Sequence, residues 1–248
     1  MKILSLLLLV VSCGTHTGGS PKVGTSSFNF KDVSGSYRLV RETKFINKKL
    51  VSRLQLLSTT GGGEKLVEKS IVVSQLGSIK AKRGRTGVIR PLASEFTVWL
   101  EGKKYSSRQN LNVPKKSMKV TTSSPEPKLN GVRDVRFPPG RFFCYFSQIP
   151  ECLHQSRLLE LSVSAEKRPF NFYVVWDSFP YTTEQYTNLS GDLFAPASVT
   201  YDRLFKGQHR FEVEVEGQMI LYYFSKSFEF AKMSWIAQGV TISSRNDE

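Results

Sequence analysis

The chain has 248 residues and a formal net charge of +14 at pH 7. With 40% hydrophobic and 23% charged residues, its composition is that of a folded protein and excludes a largely disordered chain. After residue 12, no segment is long and apolar enough to span a bilayer as a helix, which excludes a protein with several membrane helices.

The first feature along the chain is a short apolar segment. Lys2 precedes an uncharged run from Ile3 to Val11, which is followed by the small residue Ser12 and by Cys13. About ten apolar residues are too few to cross a hydrocarbon core of ~30 Å as a helix. The segment therefore predicts a cleaved export signal.

The end of this segment carries a short motif. Val10-Val11-Ser12-Cys13 resembles the lipobox of bacterial lipoproteins. The resemblance implies cleavage before Cys13 and attachment of acyl chains such as palmitate to its thiol and new amino terminus. In that family an Asp after the cysteine retains the protein in the inner membrane. Gly14 does not match, so the resemblance implies anchoring to the outer membrane of a two-membrane host, facing the periplasm or the surface. An ordinary signal peptide with an incidental cysteine, or a buried N-terminal strand, are the alternatives.

Three regions are expected along the chain. Residues 1–12 form the signal peptide, and residues 13–27, rich in Gly, Ser and Thr, form a flexible tether. Residues 28–248 are expected to fold as a single β-rich domain, because they are numerous enough to bury one core and show no shift in composition.

Most of this domain alternates between apolar and polar residues with a period of two, which predicts strands. Two hairpins stand out, one turning at Gly102–Lys103 and the other at Gly217–Gln218. Only 149–161 has a helical pattern, with Pro150 in its first turn. Ten to twelve short strands predict an all-β fold, mainly an antiparallel barrel, roll or sandwich, with at most one or two short helices.

Two cysteines remain once Cys13 is assigned to lipid. Cys144 and Cys152 are predicted to form a disulfide, as expected in an oxidising compartment. A metal pair and a redox dithiol are the alternatives. The spacing is wrong for Cys-x-x-Cys, and no set of His and Cys partners with zinc spacing occurs.

The excess positive charge is concentrated in residues 80–141, which hold fifteen Lys/Arg against four Asp/Glu. Such a patch attracts anionic partners. The export signal argues against nucleic acid, leaving anionic lipid, lipopolysaccharide phosphates or acidic polysaccharide. A solvated basic surface is the alternative. The candidate ligand-binding cations are Lys80, Lys82, Arg83, Arg85, Arg133, Arg136 and Arg141.

Aromatic residues cluster in 137–146 and in 173–186, where Trp176 and Tyr181 are further candidates for ligand contact. In a filled barrel these rings are core. In an open half-barrel they would line an apolar groove suited to an acyl chain with an anionic head group. Such an architecture is similar to that of lipid-handling outer-membrane lipoproteins of the half-barrel type, although no motif is shared.

Catalytic patterns are weak. No Gly-x-Ser-x-Gly occurs, and the three histidines are scattered. The carboxylates that could serve glycoside hydrolysis are Asp177, Glu184, Asp192 and Asp202, and the first three could instead hold calcium. Neither spacing matches a known motif, so no enzyme activity, metal or cofactor is expected.

The sequence therefore predicts a lipid-anchored envelope lipoprotein. Its β domain is expected to bind an anionic lipid, glycolipid or glycan without catalysis. A structural or assembly factor that binds an envelope protein is the alternative from another class. A carbohydrate-active hydrolase is the third hypothesis.

Overall fold

The computed structural model describes residues 25–32, 35–81, 84–140, 142–165 and 167–244, with side chains described for 35–77, 88–140, 142–165 and 167–243. The fold is all-β, as predicted, with a few short helices. The strands are β1 (Thr25–Asp32), β2 (Tyr37–Ile46), β3 (Lys49–Ser58), β4 (Lys65–Ala81), β5 (Gly84–Leu100), β6 (Lys103–Asn112), β7 (Ser117–Ser123), β8 (Gly131–Arg136), β9 (Phe143–Tyr145), β10 (Phe170–Val175), β11 (Phe194–Phe205), β12 (Gln208–Val215), β13 (Gln218–Phe224), β14 (Phe230–Trp235) and β15 (Val240–Ser244).

Helical structure is confined to short segments. The α-helices are α1 (Ile149–Gln155), α2 (Leu158–Ser164) and α3 (Thr182–Gln185). Single 3₁₀ turns lie at Pro127–Leu129, Phe146–Gln148 and Ile236–Gln238. No helix in the described part of the chain is both long enough and apolar enough to cross a bilayer.

All fifteen strands belong to one sheet, in the order β8-β7-β6-β5-β4-β3-β2-β1-β15-β14-β13-β12-β11-β10-β9. Every neighbouring pair is antiparallel except β9 and β10, which are parallel. The sheet curls into a half-barrel. It stays open because the edge strands β8 and β9 do not pair with each other. This form explains the alternating sequence pattern, since each strand has one face towards the interior and one towards solvent.

The concave face is filled by the two segments that flank β10, residues 146–169 and 176–193, which we call the insert. On one side the insert packs against apolar residues of β11–β14, such as Val199, Phe211 and Tyr222. Trp176 is fully buried and stacks on Trp235, with ring centroids 6.3 Å apart. Burying large apolar side chains contributes roughly 1.5–3 kcal/mol each. The same core continues on the other side of the half-barrel, where Leu50 and Val72 are fully buried.

The two predicted hairpins form, but their turns lie one residue earlier than expected. The turn residues are Glu101–Gly102 and Glu216–Gly217, because Leu100 pairs with Lys103 and Val215 pairs with Gln218. Both residues of each turn have positive φ, near 51° for the glutamates and 78° for the glycines. A type I′ turn requires this conformation at both central positions, and here glycine occupies the second one.

The predicted helix over 149–161 is interrupted. It becomes α1 and α2, separated by Ser156 and by Arg157, whose φ of 57° lies in the left-handed region. The Ser156 hydroxyl donates to the Cys152 carbonyl at 2.7 Å, which helps to end α1. The predicted Cys144–Cys152 disulfide is confirmed, with Cα atoms 6.0 Å apart and both residues buried.

The first strand begins earlier than the predicted domain boundary at Phe28. Thr25, Ser26 and Ser27 already pair with β2, opposite Lys44, Thr43 and Glu42. Cys13 and the predicted signal peptide lie outside the described residues, as does the tether up to residue 24.

Candidate functional site

The predicted cations Lys80 and Arg85 lie near the described end of a two-stranded arm formed by β4 and β5. The last pair between β3 and β4 joins Lys49 to Gln75, and the last pair between β5 and β6 joins Ala93 to Asn110. Residues 76–81 and 84–92 continue beyond these points and pair only with each other, as far as Ala81 and Gly84. At about 3.3 Å per residue, the arm extends about 20 Å past β3.

The register places the backbones of Lys80 and Arg85 directly opposite each other near the tip. Lys82, Arg83 and Arg141 lie outside the described residues. The base of the arm is anchored, because Val88 and Ile89 are buried and β5 packs against α1 and β9. A β-bulge at the base, where Val73 pairs with Ala93 but Ser74 pairs with Pro91, bends the strands at this point.

The connections between strands carry opposite charge at the two ends of the half-barrel. Because neighbouring strands run in opposite directions, alternate connections lie at the end from which the arm projects, the arm end, and the others at the far end. At the arm end the charged residues in the described connections are Lys48, Lys115, Lys116, Lys167, Arg168, Lys206, Lys226 and Glu229. At the far end they are Glu64, Glu101, Glu126, Lys128, Asp177, Glu184, Asp192 and Glu216. The long connection from β9 to β10 runs from the far end to the arm end and also holds Glu151, Arg157 and Glu160.

The arm-end lysines are exposed, and several are free of ion pairs. Among the described residues, no ion pair involves Lys48, Lys116 or Lys226, whereas Lys115 binds Asp134 at 2.8 Å. Uncompensated cations on turns raise the local concentration of anions. The sequence alone did not single out these lysines, because they lie in separate turns that are far apart in sequence. The available signal was that successive turns alternate between lysine and glutamate.

The predicted arginines Arg133 and Arg136 lie on the edge strand β8. The Arg133 guanidinium lies over the Phe179 ring, with its Cζ 4.3 Å from the ring centroid. This cation–π contact attaches the edge strand β8 to the insert. Arg136 is exposed at the last position of β8, at the arm end. Only Arg136 therefore adds to the arm-end charge.

The aromatic candidates are buried in the insert. Trp176 is fully buried, and Tyr181 is 3% exposed, with its hydroxyl donating to the Ser106 carbonyl at 3.3 Å. Phe146 and Tyr186 pack beside Trp176. In this arrangement the rings are core, and contact of Trp176 or Tyr181 with a ligand would require the insert to move.

Where the insert meets β2–β6, buried polar residues lie among the apolar ones and form a polar seam. The inner face of these strands presents small buried hydroxyl residues: Thr43, Ser52, Ser70, Ser74, Ser94 and Ser107. Gln148 of the insert donates to Ser52 Oγ at 3.0 Å and accepts from Ser74 Oγ at 2.6 Å. Gln109 of β6 donates to the Trp176 carbonyl at 2.7 Å. Hydrogen bonds therefore add to the apolar contacts on this side, such as that of Tyr181 with Tyr105, whose ring centroids lie 5.5 Å apart.

One charged pair also crosses the seam. The Arg41 guanidinium donates to the Ser147 carbonyl at 3.2 Å and forms an ion pair with the Glu151 carboxylate. Arg41 is only 3% exposed. Loss of either partner would leave a buried charge unpaired, which is costly in a medium of low dielectric constant.

Two carboxyl groups face each other across the same seam. Asp177 of the insert accepts from Ser70 Oγ at 3.1 Å, and Glu68 of β4 accepts from Gln185 Nε2 at 2.6 Å. Burial and the nearby Asp177 raise the pKa of Glu68 to about 8. Burial likewise raises the pKa of Asp177. Glu68 is thus largely protonated at neutral pH.

The carboxylates proposed for hydrolysis or calcium do not form one site. Asp177 is buried at the far end, whereas Asp202 lies on β11 towards the arm end and pairs with Arg210 and with Arg203. Within the described ranges, no group of three or more His, Cys, Asp or Glu side chains could hold a metal ion. The geometry therefore offers no support for these two hypotheses.

A cavity of about 570 Å³ opens on the outer face of β10–β12. Its lining includes Tyr173, Glu214 and Glu216. An aromatic ring beside carboxylates is typical of sugar contacts, but the Tyr173 ring already stacks on Phe143 and abuts Gly140. Glu216 already accepts hydrogen bonds from the backbone N–H and hydroxyl of Ser190. Tyr173 and Glu216 are therefore already engaged by the protein, whereas Asn171, Ser198 and Glu214 complete the polar lining.

The fold thus defines an open, all-β half-barrel with a disulfide-containing insert, a basic arm end and an acidic far end. Comparisons with protein families, with characterised proteins and with solved structures find no match to this chain.

Proposed function

We propose that the protein is a lipoprotein anchored through Cys13 to the outer membrane, whose β domain binds anionic lipid or glycolipid head groups without catalysis. The observation that supports this proposal is the segregation of charge between the two ends of the half-barrel. An anionic surface attracts several lysines at once only if they lie at the same end, as these do.

The expected affinity follows from the number of lysines near the surface. Each Lys or Arg close to an anionic membrane contributes about 1 kcal/mol, and the attraction falls off within a Debye length. Binding should therefore be strong at low salt and weaken steeply as salt is added. A glycan or lipopolysaccharide phosphate would be recognised by the same chemistry.

The test uses the mature chain from residue 13 with Cys13→Ala, so that neither acyl chains nor the apolar segment of residues 3–11 can contribute to binding. Its sedimentation with phosphatidylcholine vesicles, with and without phosphatidylglycerol, is measured at low and high salt. We expect binding only to the anionic vesicles and only at low salt. Competition by a soluble acidic polysaccharide then tells whether a glycan is also accepted.

A matched pair of triple variants locates the site. The variant Lys48→Glu/Lys116→Glu/Lys226→Glu reverses exposed charges at the arm end, and Lys65→Glu/Lys103→Glu/Lys104→Glu does so at the far end. The arm-end variant should bind at least about 100-fold more weakly, while the far-end variant should retain most of its affinity. Equal losses would contradict the proposed site. No vesicle binding by the parent protein would favour an envelope protein as the partner.

A further inference from the structure

The chain enters the half-barrel at the arm end. Strand β1 begins at Thr25, which pairs with Lys44 near the end of β2, and the next turn, Asn47–Lys48, lies at that end. The last pair of β3 with β4, Lys49 with Gln75, lies beside the same turn, and the arm begins directly after it. The entry point of the chain and the base of the arm are thus separated by only three strand spacings, about 14 Å.

The length of the tether limits which end can face the anchor. Residues 13–24 are twelve in number and can span at most about 40 Å when fully extended. A ten-residue strand such as β2 is about 33 Å long. If the far end faced the anchoring membrane, the tether would have to extend along nearly its full length to reach the start of β1. If the arm end faces the membrane, β1 starts at the membrane side and the tether need not extend.

We propose that the arm end docks on the anionic head groups of the same membrane that holds the Cys13 anchor. The far end then points away from the surface, and the arm, bent at the bulge at its base, lies along the head groups. This inference rests on the proposed function and adds to it the identity of the bound membrane and the orientation of the domain on it.

The side chains between the lysines suit such a surface. Ile46, Val113 and Phe205 are exposed beside Lys48, Lys115/Lys116 and Lys206, respectively. Apolar side chains next to lysines fit the boundary between head groups and acyl chains. Exposed apolar residues also occur at the far end, such as Ile236, so it is the charge that distinguishes the two ends.

Orientation can be read from one label at each end. Ser227 lies in an arm-end connection and Ser123 at the far end of β7, and both are exposed. A fluorophore is attached to Ser227→Cys or to Ser123→Cys in the full-length acylated protein, reconstituted into vesicles containing phosphatidylglycerol. A lipid that carries a nitroxide on its head group then quenches whichever label lies at the surface.

We expect the label at position 227 to be quenched several-fold more strongly than the label at position 123. Adding Lys48→Glu and Lys116→Glu should reduce this difference while the protein stays anchored. Equal quenching in the parent protein, or stronger quenching at position 123, overturns the inference. If that happens while the unanchored Cys13→Ala protein still binds anionic vesicles, the proposed function stands and the arm end binds a different membrane.

Discussion

At the scale of single residues, Gln148 is the main polar link between the insert and the sheet. It bonds to the hydroxyls of Ser52 and Ser74 and donates to the Val72 carbonyl at 3.3 Å. Gln148→Ala should lower the free energy of unfolding by about 2–4 kcal/mol, because it leaves buried polar atoms unpaired and opens a small cavity. Urea denaturation measures the loss.

Gln55→Ala is the matched control, since Gln55 is exposed on the outer face of β3. It should change stability by less than about 0.5 kcal/mol. If the two substitutions proved equally mild, the polar seam would not hold the insert in place.

The raised pKa of Glu68 predicts a pH dependence of stability. In the folded protein Glu68 keeps its proton up to about pH 8, whereas in the unfolded chain it loses it near its ordinary pKa of 4.5. The folded state therefore binds more protons between these values, and the free energy of unfolding falls as the pH rises through this window. The buried Asp177 shifts stability in the same direction.

Glu68→Gln removes the ionisable group but keeps an acceptor for Gln185. It should raise the free energy of unfolding at pH 9 by about 1–3 kcal/mol, a range that allows for solvent screening at the partly exposed Glu68. At pH 4 the substitution should change the free energy of unfolding little. Chemical denaturation across this pH range measures the difference. Glu214→Gln, an exposed change on the outer face of β12, should leave the profile unaltered. A Glu68→Gln profile parallel to that of the parent would contradict the assigned pKa.

At the scale of elements, the type I′ turns can be tested at their glycines. Gly102 has a φ of 78°, a conformation that costs roughly 1–2 kcal/mol for a residue with a Cβ. Gly102→Ala should therefore lower the midpoint of urea unfolding by an amount equivalent to about 1 kcal/mol. Gly131→Ala at the start of β8, where φ is not positive and no atom lies within 4 Å of an added Cβ, should be nearly neutral. Similar losses for both would show that the turn is not strained by the substitution.

The strands were predictable because apolar alternation is a local signal. Five residues of β12, from Phe211 to Val215, alternate without a break, and the strand forms as expected. The predicted turns lie one residue too late, because alternation does not reveal which turn position must hold glycine. Nothing in the sequence indicates that the glutamates before these glycines have positive φ. The described residues form fifteen strands rather than the ten to twelve predicted, since short edge strands such as β9 carry too few residues for a pattern.

The candidate site could be predicted only in part. The cluster of cations at 80–85 is contiguous in sequence, and of its members the structure places the backbones of Lys80 and Arg85 on the arm. The polar seam was missed because it joins residues far apart, such as Ser70 and Asp177, through single hydrogen bonds. The buried state of Trp176 also depends on the insert filling the half-barrel, which periodicity cannot show.

At the scale of the whole molecule, the charge asymmetry has a simple origin in the topology. In an antiparallel sheet every second turn lies at the same end, so placing lysine in some turns and glutamate in the others polarises the domain without affecting the core. The same topology brings the arm and the start of β1 to the basic end. Both features are consistent with a domain tethered to a surface at that end.

The proposed function requires that acyl chains on Cys13 anchor the domain to a membrane. Intact-mass analysis of native protein from membrane and soluble fractions tests it most directly. We expect a mature chain that begins at Cys13, carries acyl groups and is found in the membrane fraction. We expect the Cys13→Ala variant to lack these groups and to be released. A native chain that still begins at Met1, or a Cys13→Ala protein that stays in the membrane fraction, would contradict it.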